Sequence, residues 1–136
     1  MSYTGRVTGY LSVKPPMKWS QIKDSKFFIE NKAVGRGTPR IAMCVDRDDR
    51  ETDEGVNTVL TCRTVGPLRD TPYDARQMED DVAELVAAFP DHVFRGELVV
   101  DSEDFGGDVW RVVSDEEGVR KEVALLLWPD GSKVEL

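Results

Sequence analysis

Tyr3-Thr4-Gly5-Arg6-Val7-Thr8-Gly9-Tyr10-Leu11-Ser12-Val13 is the stretch whose reading decides the fold. One parity carries Tyr3, Gly5, Val7, Gly9, Leu11 and Val13; the other carries Thr4, Arg6, Thr8, Tyr10 and Ser12. Apolar and polar side chains that alternate with period two belong to a strand with one face buried and one wet. Gly5 and Gly9 fall on the inward parity, so a helix or an aromatic ring is expected to cross the strand there. Pro15-Pro16 is expected to end it, because proline donates nothing to a ladder.

Outward from this strand, the spacing predicts a short helix from Lys18 to Asp24, with Trp19 and Ile22 on one face. Phe27, Phe28 and Ile29 follow as an apolar anchor. Asn31 to Arg40, with Gly35, Gly37 and Pro39 among basic residues, reads as a loop. Ile41 to Asp46 and Val56 to Val65 read as a hairpin. Its nine-residue link, Arg47 to Gly55, is too charged for the core and is expected to project into solvent. The main helix is signalled by Thr71 as N-cap, Pro72 at the first helical position and Asp74 three after the cap. Its apolar stripe is Met78, Val82, Leu85, Val86 and Phe89, and Pro90 stops it. Its opposite face carries Gln77, Asp80, Asp81 and Glu84. Three strands follow: Val93 to Asp101, Asp108 to Ser114 and Val119 to Trp128. The last is apolar on both parities and is expected to lie centrally, covered on both faces. Pro129-Asp130-Gly131 signals a turn, with Val134 to Leu136 as a short closing strand.

This order specifies an α+β fold: a mainly antiparallel sheet of six or seven strands with one long amphipathic helix and one short helix. The 136 residues suit one domain over the whole of 1–136. The expected core is Val7, Leu11, Trp19, Ile22, Met43, Leu60, Met78, Val82, Leu85, Phe89, Leu98, Val100, Trp110, Leu125 and Leu127.

The net charge of −8 is unevenly spread. Residues 1–40 carry eight Lys or Arg against Asp24 and Glu30, a balance of +6. The remainder carries ten basic and twenty-four acidic side chains, a balance of −14. Overall acidity argues against nucleic-acid binding by bulk charge. The longest apolar run, Val123 to Trp128, is strand-sized, so no membrane span is expected. With two cysteines, one histidine and no export signal, a reducing cytoplasm is the expected setting.

Catalytic and metal chemistry find little footing. His92 follows Pro90-Asp91 without a recognisable nucleophile motif to serve. Cys44 and Cys62 are each nine residues from Asp53, so the hairpin is expected to set them opposite each other, reduced and packed. Asp46-Arg47-Asp48-Asp49 starts like a calcium loop. Arg50 then stands at the fifth position, Glu51 at the sixth and Asn57 at the twelfth, and the match fails. Asp101, Glu103, Asp104 and Asp108 flank Gly106-Gly107 and form the candidate set for a hard cation. Gly35-Arg36-Gly37-Thr38 lacks the Lys-Ser/Thr ending of a phosphate loop. No cofactor is expected.

Ser12-Val13-Lys14-Pro15-Pro16-Met17-Lys18-Trp19, Ile22-Lys23-Asp24-Ser25 and Phe27 carry a resemblance. So do Thr52-Asp53-Glu54-Gly55, Gly107-Asp108-Val109-Trp110-Arg111 and Trp128-Pro129-Asp130-Gly131. In these stretches the chain resembles a family of small proteins from actinobacteria and their bacteriophages with no assigned activity. The resemblance implies a bacterial or phage cytoplasm and a host-interaction role, and transfers no catalytic residue.

The expectation is therefore a non-enzymatic interaction or regulatory protein, monomeric or a small homo-oligomer. It would bind a protein partner through Asp80, Asp81, Glu84, Asp48, Asp49 and Glu51. Two alternatives stand beside it. One is a metal-assisted phosphoester hydrolase or nucleotide-binding enzyme built on Asp101, Glu103, Asp104 and Asp108. The other is a weak single-stranded nucleic-acid binder using the basic segment 14–40, with Trp19, Phe27 and Phe28 for stacking.

Overall fold

The computed structural model describes residues 5–29, 38–68, 77–102 and 109–135. In chain order the elements are β1 (Gly5–Lys18), α1 (Trp19–Ile22), β2 (Ile41–Thr52), β3 (Gly55–Pro67), α2 (Met78–Ala88), β4 (Val93–Ser102), β5 (Val109–Asp115) and β6 (Gly118–Val123). The strands form one six-stranded sheet of order β2-β3-β1-β4-β5-β6, and every neighbouring pair is antiparallel. This is the α+β arrangement that the alternating patterns specify.

β1 is the spine of the sheet. It pairs with β4 without interruption from Gly5↔Ser102 to Lys14↔Val93. On its other edge the ladder to β3 breaks between Ser12 and Met17 and resumes at Met17↔Cys62. Pro15-Pro16 lies in that break. The dipeptide therefore interrupts one ladder where a donor is missing, and the strand runs on to Lys18 instead of ending.

Leu11, Val13 and Met17 of β1 join Phe94, Leu98 and Val100 of β4 and Trp110 and Val112 of β5 on the buried face. Met78, Val82 and Leu85 of α2 cover them at i, i+4 and i+7, all fully buried. A fully buried Leu or Val side chain contributes about 1.5–3 kcal/mol, so this stripe fixes the helix on the sheet. α2 touches β5 and β6 and also β2, from opposite ends of the strand order, so the sheet curls around it. The helix has only 11 residues and is not the long one expected; Thr71, Pro72 and Asp74 lie outside the described residues. α1 is a single turn, shorter than the expected Lys18–Asp24. It buries Ile22, while Trp19 stays 40% exposed with its ring edge-on to Phe28.

The expectation for the C-terminal strand is overturned. β6 stops at Val123 and forms an edge of the sheet, where a central position was expected. The Ala124 amide still donates to the Val109 carbonyl, but among the described residues no register pair follows Trp110↔Val123. The chain then turns back on itself: Trp128 N donates to Ser132 O, and Val134 N to Leu126 O. An isolated Leu127↔Lys133 bridge stands where a seventh strand was expected. Leu125 and Leu127, assigned to the core by their apolar character, are exposed.

Candidate functional site

The charged link of the hairpin is strand, not loop. β2 and β3 pair continuously from Val45↔Cys62 to Thr52↔Gly55, leaving only Asp53 and Glu54 to make the turn. Gly55 takes φ +124, a conformation costly for other residues. The Thr52 hydroxyl donates to the Gly55 carbonyl at 3.0 Å. Asp46 to Val59 are all exposed. Since successive residues of a strand point to opposite faces, exposure of both parities means that neither face of this ribbon is covered. Both members are exposed in five consecutive residue pairs, from Asp48↔Val59 to Thr52↔Gly55, so the ribbon stands clear of the core for roughly 15 Å.

Residues two apart on a strand share a face, and the ribbon uses this spacing twice. Arg47 Nε lies 3.0 Å from Asp49 Oδ1, and Arg50 Nε lies 3.0 Å from Asp48 Oδ2. Thr58, directly across from Asp49, donates to its Oδ1 at 2.7 Å. These bonds, Thr58 first and Arg47 next, hold the Asp49 carboxyl below the ordinary range. From Asp46 to Gly55, six acidic residues face only two arginines, so the tip keeps a balance of −4. Val56 (64% exposed) and Val59 (39%) lie on the same ribbon.

The acidic face expected on α2 is only partly there. Asp80 is exposed, and Glu84 is exposed but ion-paired with Lys26. Asp81 is buried. Its carboxylate accepts the Arg40 backbone N–H at 2.6 Å and Gln77 Nε2–H at 3.1 Å. Burial pushes its pKa up against these two bonds. Asp81 therefore ties α2 to the entrance of β2 and offers no surface. Its place beside the buried Val82 and one turn after Gln77 could have signalled an inward carboxylate.

The remaining candidates are scattered. Asp101 is exposed on β4 between Arg6 and Val109, while Glu103, Asp104 and Asp108 lie outside the described residues. Among the described residues no three His, Cys, Asp or Glu side chains are grouped to hold a metal ion. In the basic segment Phe27 is buried and unable to stack, and residues 30–37 lie outside the described residues. His92 bridges Gln21, 2.9 Å away, and the Pro15 carbonyl, 2.6 Å away. Cys44 and Cys62 do not face each other: a bulge sets Cys44 against Thr64 and Cys62 against Val45. Both are free thiols, Cys44 exposed and Cys62 buried.

Two surfaces were missed in the sequence. On the outer face of β4-β5-β6, Arg111 bridges Glu97 at 2.8 Å and Glu122 at 2.7 Å, and Arg120 reaches Asp115 at 3.0 Å. A shallow groove of about 460 Å³ opens beside this ladder, lined by Val99, Val109, Arg111 and Val123 among others. The second surface is the exposed apolar run after β6. None of the described helices is long and apolar enough to cross a membrane.

A family model described as a family of unknown function, DUF6205, matches residues 1–136. No curated protein and no solved structure matches the chain.

Proposed function

We propose, for a chain that belongs to the DUF6205 family of unknown function, that it works as a non-enzymatic binding protein. The β2–β3 ribbon is its arm, and a basic protein surface is its partner. The observation that carries this reading is the ribbon's exposure on both faces together with its −4 balance. A two-stranded ribbon is marginal on its own; this one is stiffened by paired side chains and rooted in a six-stranded sheet. Asp48, Asp49 and Glu51 supply the attraction, and Val56 and Val59 supply apolar contact. Asp80 and Glu84 form a second, smaller acidic surface. Complementary charge speeds encounter and rejects wrong partners. We place the protein, as one domain, in a bacterial or phage-infected cytoplasm, which free thiols on both hairpin arms suit.

Photo-crosslinking tests the reading. A photoreactive residue is placed at Val56, or at Thr8 on the outer sheet face as control, in cells of the source organism. The Val56 probe should trap a basic protein that the Thr8 probe does not. Charge reversal by Asp48→Lys and Glu51→Lys should abolish the product. Identical products from both positions, indifferent to charge reversal, would remove the ribbon from consideration.

A further inference from the structure

The Met43 amide donates to the Phe27 carbonyl at 2.9 Å, on the side of β2 away from β3. Backbone groups of alternate residues in a strand point the same way, so the N–H and C=O of Val45, Arg47, Asp49 and Glu51 also point outward. The bulge does not disturb this count, because its extra residue, Arg63, lies on β3. Phe27 fills the first position on this edge. Among the described residues no further backbone bond is made along it, and no strand lies beyond it. Four residues spanning roughly 20 Å thus present an unused ladder. Where Phe27 leaves off, a groove of about 340 Å³ opens between Phe28, Ile29, Ala42, Met43, Val45 and Leu68, every one of them apolar.

We propose that this edge takes an extended, basic segment of the partner as an added strand, seated by an apolar side chain in the groove. The inference rests on the ribbon's proposed role and specifies how the ribbon binds. In this mode main-chain bonds supply affinity and side chains supply choice. The choice lies in the charges. Between Asp46 and Glu51 four acids meet two arginines, and both arginines pair within the strand, Arg47 with Asp49 and Arg50 with Asp48. The surplus of −2 falls on Asp46 and Glu51, which point to opposite faces. A second copy brought edge to edge would set this surplus against itself, and charged edges of this kind keep like strands from pairing. A strand carrying lysine or arginine gains a cross-strand pair on whichever face it presents them. The edge therefore rejects its own copy and admits a basic strand.

Fluorescence anisotropy with labelled probes tests it. One probe is a peptide of a single leucine followed by alternating threonine and lysine; the other is the same peptide with its backbone amides methylated. The two carry the same charge and side chains, and only the first can donate to the β2 edge. The unmethylated probe should bind the full chain at least about tenfold more tightly. Arg47→Pro removes an outward N–H without removing a rung of the β2–β3 ladder and leaves the ribbon more acidic. It should weaken binding about tenfold or more, where attraction by charge alone would strengthen it. Equal binding of the two probes, undiminished binding by Arg47→Pro, or no binding of either probe below about 1 mM overturns the inference and leaves the ribbon's acidic role to the crosslinking test. That role fails by a different result. Asp48→Lys with Glu51→Lys should release the probe, and undiminished binding by this variant overturns the role and the inference with it.

Discussion

Gly9 and Gly96 face each other diagonally across the β1–β4 ladder, and each is held in place by the other strand's backbone. Gly9 has φ +106, and a Cβ there would lie under 3.0 Å from the Glu97 carbonyl oxygen. Gly96 has φ +147, and a Cβ there would meet the Tyr10 carbonyl oxygen as closely. Tyr10 and Glu97 are themselves register partners, so the two contacts are reciprocal. Gly9, expected to face inward, is exposed and answers to the backbone of a neighbouring strand, not to the helix or ring expected to cross there.

Gly9→Ala and Gly96→Ala should each destabilise the fold by about 3 kcal/mol or more, because positive φ and a backbone clash act together. Gly55→Ala is the control. Its φ is also positive, but nothing lies within 4 Å of the added carbon, so only the conformational cost of about 1–2 kcal/mol remains. Urea titration of the three variants checks the order.

Asp81→Ala should cost about 1–3 kcal/mol, since the Arg40 amide loses its acceptor. Asp81→Asn keeps one acceptor oxygen and should cost less. The pH dependence has a definite sign. The folded carboxyl is held above its ordinary range by burial, so folding favours the protonated form. The advantage of the native Asp over Asn is full below the unfolded value of about 3.9 and declines as pH rises through the raised folded value. Paired urea titrations near pH 3.5 and pH 7 check this; a gap that widens with pH would contradict it.

How far the sequence could be read depended on whether local pattern and long-range register agreed. The period-two strand at Leu11 and Val13 and the stripe Met78, Val82 and Leu85 are buried as their spacing requires. The ribbon's exposure followed from its charge, but its strand character did not, because β-propensity cannot see the ladder that holds Arg47 and Asp49 in place. Val123 to Trp128 misled most. Apolar residues on both parities fit a strand buried on both faces or an uncovered segment at a sheet edge, and only the strand order, which puts β6 at the edge, decides between them. Of the acidic candidates, Asp48, Asp49 and Glu51 reach the surface, while Asp81 obeys a backbone amide 41 residues away.

The two thiols should react unequally. Burial pushes the Cys62 thiol up to about 11, and its Sγ–H donates to the Thr64 carbonyl at 3.2 Å. At pH 8 only about one Cys62 in a thousand is then thiolate, behind a wall of side chains; Cys44 is open to solvent. Iodoacetamide should modify Cys44 alone in the folded protein and both residues in urea, as read by mass spectrometry. Equal labelling of the folded protein would mean that the bulge does not separate them.

The ring of His92 should carry its proton on Nδ1 when neutral. The Lys18 amide donates to Gln21 Oε1 at 3.0 Å, which leaves Gln21 Nε2 as the donor toward His92 Nε2. That ring nitrogen must then accept, and Nδ1–H is free to donate to the Pro15 carbonyl. Imidazole in water favours the other tautomer, so nitrogen NMR showing a bare Nε2 reports both contacts at once. His92→Phe keeps a ring beside Phe89 but cuts the link from the turn before β4 to Gln21 of α1 and to the Pro15 carbonyl of β1. It should cost about 1 kcal/mol. A protonated Nε2 in the neutral ring would show that Gln21 is turned the other way and that the Lys18 amide is satisfied elsewhere.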